Sequence, residues 1–153
     1  MIILSIDPAS KKNLGFSIGD FSNGEYRIFK SGTKILDENL KFSDAFNFIN
    51  NCIEEHQINR IIYEQTQWGV PFVQSQISEI IGVIKLASEL NKIEIIPLAP
   101  TTVKKTITDN GRANKKEMKN KIEELFPELK NIKSEHEIDA IAIGVAYTAL
   151  ERK

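Results

Sequence analysis

The fold is decided by the opening stretch Ile2-Ile3-Leu4-Ser5-Ile6-Asp7, a short apolar run that ends in an acid. Such a run is typical of a buried central strand whose last side chain emerges at the edge of a sheet. The same pattern returns at Arg60-Ile61-Ile62-Tyr63-Glu64. If the two strands are parallel neighbours, their carboxyl ends lie at one edge, and we expect Asp7 and Glu64 roughly 5–10 Å apart.

Three further strands are expected around this pair. Residues 15–19 and 26–32 flank the hairpin signal Ser22-Asn23-Gly24, which makes the opening a three-stranded antiparallel meander. A fifth strand is expected at residues 93–97. The sequence therefore predicts an α/β fold with a mixed five-stranded sheet and helices on both faces.

Apolar residues at helical spacing predict the helices. A first helix over residues 43–57 has Ser43 as its N-cap, and a long helix starting at Pro71 is apolar on more than one face, which indicates a subunit interface. A short helix over 100–107 and one from Asn114 to about 126 follow. The last helix begins at the capping box Ser134-Glu135-His136-Glu137. No repeat or linker divides the chain, so residues 1–153 are expected to form a single domain.

Composition limits the class of protein. With 153 residues and 41% apolar side chains the chain can bury an ordinary core, and Cys52 has no partner for an internal disulfide. The N-terminal apolar run stops at Asp7, too short for a signal peptide or a membrane span. We expect a cytoplasmic protein, in a bacterial cell or a phage-infected host, with no membrane partner.

The charges are unevenly distributed. The net charge is -1, but the segment from Lys104 to Lys121 holds seven basic residues and only two acids, Asp109 and Glu117. This basic segment is the expected place for phosphate contacts with a nucleic acid.

Four side chains are candidates for metal chemistry. Asp7 and Glu64 end the two strands, and His136 and Asp139 share one face of the last helix's first turn. Each alone has an ordinary reading as a turn or capping residue. Together, several like charges need cations, and carboxylate oxygens suit Mg²⁺ or Mn²⁺. A pair of ions roughly 3.5–4 Å apart would serve the hydrolysis of a phosphodiester.

These motifs resemble those of the RuvC Holliday-junction resolvases of the RNase H-like superfamily. The likeness is carried by residues 3–10 with Gly15, by residues 61–65 and by residues 136–144. It implies that Asp7, Glu64, His136 and Asp139 are the catalytic residues and bind two Mg²⁺ or Mn²⁺ ions. Ala9 stands where the family usually has glycine, and His136 stands where many members have aspartate.

The resemblance also implies DNA contacts. Lys104 and Lys115, eleven residues apart around Gly111, match the two lysines that contact the scissile strand in the family. An aromatic after Glu64, either Trp68 or Phe72, is expected to stack on unpaired bases. Further phosphate contacts are expected from basic residues along the chain: Lys11, Lys12, Lys105, Arg112, Lys116 and Lys119.

The function implied is a metal-dependent endodeoxyribonuclease, bacterial or phage-encoded, that resolves four-way DNA junctions by paired symmetric nicks as a homodimer. One alternative is a broader nuclease of the same superfamily that cuts forks and three-way junctions. A second is an ATP-binding protein of the actin-like fold, although that architecture needs two such domains. A third is a junction-binding protein without catalysis.

Overall fold

One mixed sheet organises the molecule. The structure is a computed structural model that describes residues 1–8, 12–65 and 71–152, with only the backbone described for residues 71–74. Five strands lie in the order β3-β2-β1-β4-β5. They are β1 (Ile2–Asp7), β2 (Asn13–Ser22), β3 (Glu25–Ile35), β4 (Arg60–Glu64) and β5 (Glu94–Leu98).

The sheet is antiparallel on one side of β1 and parallel on the other. β1 pairs antiparallel with β2, and β2 pairs antiparallel with β3. β1 and β4 are parallel neighbours, as are β4 and β5. This confirms the predicted meander and the parallel pairing of the two strands that end in acids. β2 and β3 extend beyond their predicted limits because they stay paired from Asn13 to Ser22.

In the described residues, five α-helices cover the sheet on both faces, as predicted. They are α1 (Lys41–His56), α2 (Pro71–Asn91), α3 (Pro100–Thr108), α4 (Lys115–Leu125) and α5 (Glu135–Glu151). One core packs α1 and α2 against Leu4, Ile6 and Ile61. The other packs α3, α4 and α5 against Ile3 and Ile62. Alternation along the strands therefore assigns odd-numbered residues of β1 and even-numbered residues of β4 to the α5 face.

The start of α1 corrects one prediction. Helix α1 begins at Lys41, with Leu40 at the N-cap position and no side-chain cap, so the assignment of Ser43 as N-cap was wrong. Ser43 lies inside the first turn and donates to the Leu40 carbonyl at 3.0 Å. The Asp37 carboxylate instead accepts from the backbone N–H groups of Asn39 and Leu40, at 2.8 and 3.0 Å. The Asp37 side chain therefore orders the turn just before the helix. No side chain caps the first turn of α1 itself.

Within residues 1–8, 12–65 and 71–152, every helix is too short or too polar to cross a bilayer.

Candidate active site

Asp7 and Glu64 lie side by side at the carboxyl edge of the sheet. Parallel pairing aligns Ile6 with Tyr63, which puts the next residue of each strand, Asp7 and Glu64, at adjacent positions. Both belong to the α5 face by alternation. Asp7 is only 2% exposed, whereas Glu64 is partly exposed. The two acids that the sequence predicted at one edge are therefore brought together.

The first turn of α5 carries His136 and Asp139 to the same edge. Ser134 is the N-cap of this helix, and its side chain accepts from the backbone N–H of Glu137. His136 Nδ1 donates to Asp7 Oδ2 at 3.1 Å. Because Nδ1 is engaged, Nε2 is the ring nitrogen left for another ligand. Asp139 lies one turn further along and interacts electrostatically with Asp7 and Glu64.

Burial and mutual repulsion make this edge unfavourable for negative charge. Desolvation, followed by repulsion from Asp7 and Asp139, raises the pKa of Glu64 to about 7. Desolvation and repulsion from Asp7 raise the pKa of Asp139 to about 6. Burial also raises the pKa of Asp7, against the opposing hydrogen bond from His136. The hydrogen bond to Asp7 raises the pKa of His136.

The donor set fits a divalent metal site. Three carboxylates and one imidazole converge with too little positive charge around them, and hard divalent cations prefer oxygen ligands of this kind. In the part of the chain that is described, no three His, Cys, Asp or Glu side chains are close enough to hold one ion as they stand. Binding would therefore require the carboxylate side chains to move closer together.

Lys104 and Lys115 flank the acids from two helices. Lys104 on α3 partly opposes the rise in the pKa of Glu64, and Lys115, the first residue of α4, partly opposes the rise in the pKa values of Asp7 and Asp139. Lys115 also forms an ion pair with Glu135, one residue before His136. Both predicted scissile-strand lysines thus lie at the acidic edge. The Glu135 partner could not be foreseen, because nothing in the local sequence links it to residue 115.

A pocket of about 300 Å³ opens beside Asp139. Its walls are the side chains of Lys115, Lys116, Lys119, Glu135 and Ile138. Among the described residues, Lys104, Lys116 and Arg112 form no ion pair, and Lys119 approaches Glu123 at 3.8 Å. Lys105 donates to the Asp109 carbonyl at the end of α3. The surface formed by α3, the loop to α4 and α4, hereafter the α3–α4 surface, therefore keeps an excess of positive charge.

On the other flank of the acidic edge, near β2, β3 and the start of α1, the described lysines form ion pairs with acids. Lys12, a predicted DNA contact, forms an ion pair with Glu38. Lys34 pairs with Asp44 at 2.9 Å, and Lys41 approaches Glu79 at 3.7 Å. These three lysines are each matched by an acid, whereas only some of the described basic residues of the α3–α4 surface are.

Some predicted residues lie outside the described parts of the chain. They are Lys11 and Trp68, together with Ala9 and the side chain of Phe72. The DNA contacts proposed for Lys11, Trp68 and Phe72 stay predictions.

Comparison with known proteins agrees with this arrangement. The family model described as "Crossover junction endodeoxyribonuclease RuvC" matches residues 3–147. The RuvC of Brachyspira hyodysenteriae is 32% identical over 99% of this chain and 96% of its own length. The RuvC of Rickettsia africae is also 32% identical, over 100% of this chain and 99% of its own.

The fold has a close match among solved structures. Thermus thermophilus RuvC in complex with a Holliday junction substrate superposes with a TM-score of 0.88, at 14% identity, over 99% of this chain and 95% of that one. The RNase H-like architecture predicted from the sequence is thus confirmed. From its matched length and its relatives, the chain belongs to the RuvC family of crossover junction endodeoxyribonucleases.

Proposed function

We propose that this protein resolves four-way DNA junctions by paired nicking as a homodimer, with Asp7, Glu64, His136 and Asp139 as its catalytic metal ligands. Nucleases of this family depend on metal ions. The observation that carries the proposal is the convergence of three carboxylates and one imidazole at one sheet edge, beside the α3–α4 surface.

Two Mg²⁺ or Mn²⁺ ions, when bound, would supply an activated water and neutralise charge on the attacking and leaving oxygens. The chain's part is to present the ligands. Asp7, Glu64 and Asp139 offer oxygen atoms, and His136 offers Nε2 once Nδ1 is engaged. The raised pKa of Glu64, about 7, means that a bound cation must displace a proton from this group near neutral pH.

Lys104 and Lys115 orient the scissile phosphate in this proposal. Both cations already lie close enough to the acids to shift their pKa values, so a phosphate at the acidic edge would meet them. Lys105, Arg112, Lys116 and Lys119 extend the positive surface along α3 and α4, which suits the phosphate backbone of an arm of the junction.

Junction cleavage tests the chemistry and the substrate shape together. Synthetic four-way, three-way and linear duplex DNA are incubated with Mg²⁺ or Mn²⁺ and the wild type or Glu64→Gln. Loss of one metal ligand removes several kcal/mol of transition-state stabilisation, so we expect cleavage at least about a hundredfold slower. Junction binding in EDTA should persist, because the basic surface is unchanged. Glu128→Gln, an exposed carboxylate away from the site, is the matched control.

The products discriminate between the candidate functions. Paired symmetric nicks confined to the four-way junction support the resolvase. Nicks in every branched substrate would favour the broader branched-DNA nuclease. Binding with no cleavage of any substrate would leave a junction-binding protein, and normal cleavage by Glu64→Gln would refute the assignment of the site.

A further inference from the structure

The first turn of α5 crosses three strands along a single row of the sheet. Asp7 on β1 pairs with Gly15 on β2, and Gly15 pairs with Thr33 on β3. Each member of this row meets the turn. Asp7 accepts from His136, Gly15 lies beneath the His136 backbone, and Thr33 hydrogen-bonds Ser134. The turn that carries two proposed metal ligands is therefore attached to three strands.

Gly15 sets how closely the turn approaches the sheet. A Cβ built on Gly15 would lie 2.0 Å from the carbonyl oxygen of His136, far inside van der Waals contact. Because this neighbour is backbone, it could not move aside without shifting the helix. The close approach brings the helix within reach of short side chains on β3.

Two hydrogen bonds from β3 hold the turn from the side opposite the acids. Ser31 Oγ donates to Glu137 Oε1 at 2.7 Å, across 106 residues of sequence. Thr33 Oγ1 and Ser134 Oγ share a hydrogen bond of 2.5 Å. All four residues are half-buried, so these bonds are partly shielded from competing water. We name the two bonds the β3 latch.

The use of Glu137 shows that the latch is more than a local cap. In α4, the Glu117 side chain reaches back to the backbone N–H of Asn114 and completes a capping box. Glu137 occupies the same third position of α5, yet its carboxylate accepts from Ser31 instead. The side chain that could cap its own helix is thus engaged by a neighbouring strand.

The latch opposes a force that the site itself creates. Asp139 on α5 faces Asp7 and Glu64 on the sheet, and their mutual repulsion favours separation of the helix from the strand ends. A helix terminus is also the part of a helix that frays most readily. Attachment to β3 limits this separation.

We infer that Ser31 and Thr33 are positioning residues for metal binding: through Glu137 and Ser134 they hold the first turn of α5 where His136 and Asp139 meet Asp7 and Glu64. This inference rests on the proposed function, because it takes these four residues as the metal ligands. Neither Ser31 nor Thr33 contacts the proposed ligands through its own side-chain hydrogen bonds. The latch should therefore change the affinity for metal and leave the affinity for DNA unchanged.

The test is a calorimetric Mn²⁺ titration of the full chain at pH 8, alongside junction binding in EDTA. Loss of a residue that hydrogen-bonds a metal ligand directly costs about 10–100-fold in metal affinity. Ser31 and Thr33 act one step further out, so we expect the lower end of that range, about tenfold weaker Mn²⁺ binding by Ser31→Ala/Thr33→Val. The junction Kd in EDTA should change less than about twofold. Cleavage lost at low Mn²⁺ should return at high Mn²⁺. Ser31→Ala alone, which keeps the Thr33 bond, should give a smaller change in the same direction.

Two further variants separate the latch from a general loss of stability. Glu137→Gln keeps an oxygen that accepts from Ser31 and should bind Mn²⁺ like the wild type, whereas Glu137→Ala should not. Ser88→Ala removes a buried hydroxyl that donates to the Ile93 carbonyl at the far end of α2. It should lower the Tm as a lost hydrogen bond does and leave Mn²⁺ binding intact.

Asp139→Asn in the same titration separates failure of the latch from failure of the site. If Asp139→Asn loses Mn²⁺ binding while the double variant retains it, the latch is refuted and the metal site stands. If Asp139→Asn binds Mn²⁺ normally, the assignment of the site fails and the latch with it. Mn²⁺ affinity that falls as far in Ser88→Ala as in the double variant would also overturn the inference.

Discussion

At the scale of single residues, the chemistry of the site arises from carboxylates that the fold buries near one another. Asp7 is almost fully buried, and its only side-chain hydrogen bond among the described residues comes from His136. Glu64 is repelled by Asp7 and Asp139, and Lys104 offsets part of that repulsion. A folded protein tolerates such a cluster by retaining protons or by binding cations.

Glu64→Gln should therefore stabilise the metal-free protein at alkaline pH. The pKa of Glu64 is raised from 4.5 to about 7 in the folded state, so the folded protein binds this proton more tightly. Its contribution to stability is complete below about pH 4.5 and is lost as the pH rises through about 7. The loss is on the order of 1–3 kcal/mol, or roughly 2–12 °C in Tm for a chain of this length.

The measurement is the Tm of wild type and Glu64→Gln in EDTA from pH 4.5 to pH 8. The variant should match the wild type at the acid end and exceed it at the alkaline end. Added Mn²⁺ should raise the Tm of the wild type far more than that of the variant. Glu128→Gln should follow the wild type throughout, and a Tm difference for Glu64→Gln that does not change with pH would contradict the prediction.

At the scale of secondary structure elements, the α3–α4 surface is the expected path of a DNA arm. Its lysines are only partly matched by acids, whereas Lys34 and Lys41 on the other flank each have an acidic partner. When the protein binds DNA, the counterions released from the phosphates should therefore be displaced mainly by the basic residues of the α3–α4 surface.

Lys116→Ala/Lys119→Ala should reduce the salt dependence of junction binding. Each lost phosphate contact lowers the slope of log K against log salt by about 0.9, so two contacts give a change of about 2. The measurement is junction binding in EDTA at several salt concentrations. Lys34→Ala/Lys41→Ala is the matched control and should change the slope by less than about 1. Equal changes in the two double variants would indicate that DNA does not follow α3 and α4.

Some secondary structure elements could be predicted from the sequence more completely than others. The acid-terminated strands β1 and β4, the amphipathic helices and the start of α4 at Asn114 follow from patterns within a few residues, and the structure confirms them. The shared edge of Asp7 and Glu64 follows once the two strands are parallel neighbours, because each acid stands at the carboxyl end of its strand. The start of α1 was mispredicted because Asp37, outside the helix, orders the chain ahead of it.

Contacts between distant segments were not predictable in the same way. Ser31 and Glu137 are 106 residues apart, and neither stands in a motif that signals the other. The capping box expected at Ser134 is present only in part, because Ser31 engages the Glu137 carboxylate. The pairing of Lys115 with Glu135 likewise depends on the packing of α4 against α5. Local periodicity places the ligands, and tertiary packing determines how they are held.

At the scale of the whole molecule, the exposed apolar surface of α2 bears on the proposed homodimer. Leu86 and Leu90 are 50% and 64% exposed, one turn apart on the side of α2 that faces away from the core. Gly82 lies one turn earlier and has open space beside it. A four-way junction has approximate two-fold symmetry, so a C2 dimer would present one site to each of two strands.

Leu86→Glu/Leu90→Glu should therefore yield a monomer. Charged side chains at the centre of an apolar interface lose their hydration without gaining partners, which costs several kcal/mol. Size-exclusion chromatography with light scattering should give twice 17.3 kDa for the wild type and 17.3 kDa for the variant. Leu125→Glu, at a leucine that is 47% exposed on α4, is the matched control and should stay dimeric.

The monomer also separates catalysis from coordination between sites. Its acidic edge is formed within one chain by β1, β4 and α5, so each copy should still bind Mn²⁺ and nick DNA. Because the two copies would no longer be held together on one junction, most products should be junctions nicked in only one strand. Cleavage of both strands within one binding event should disappear. Paired cleavage by the variant, or a wild type of 17.3 kDa at the concentrations used for cleavage, would show that α2 does not form the interface.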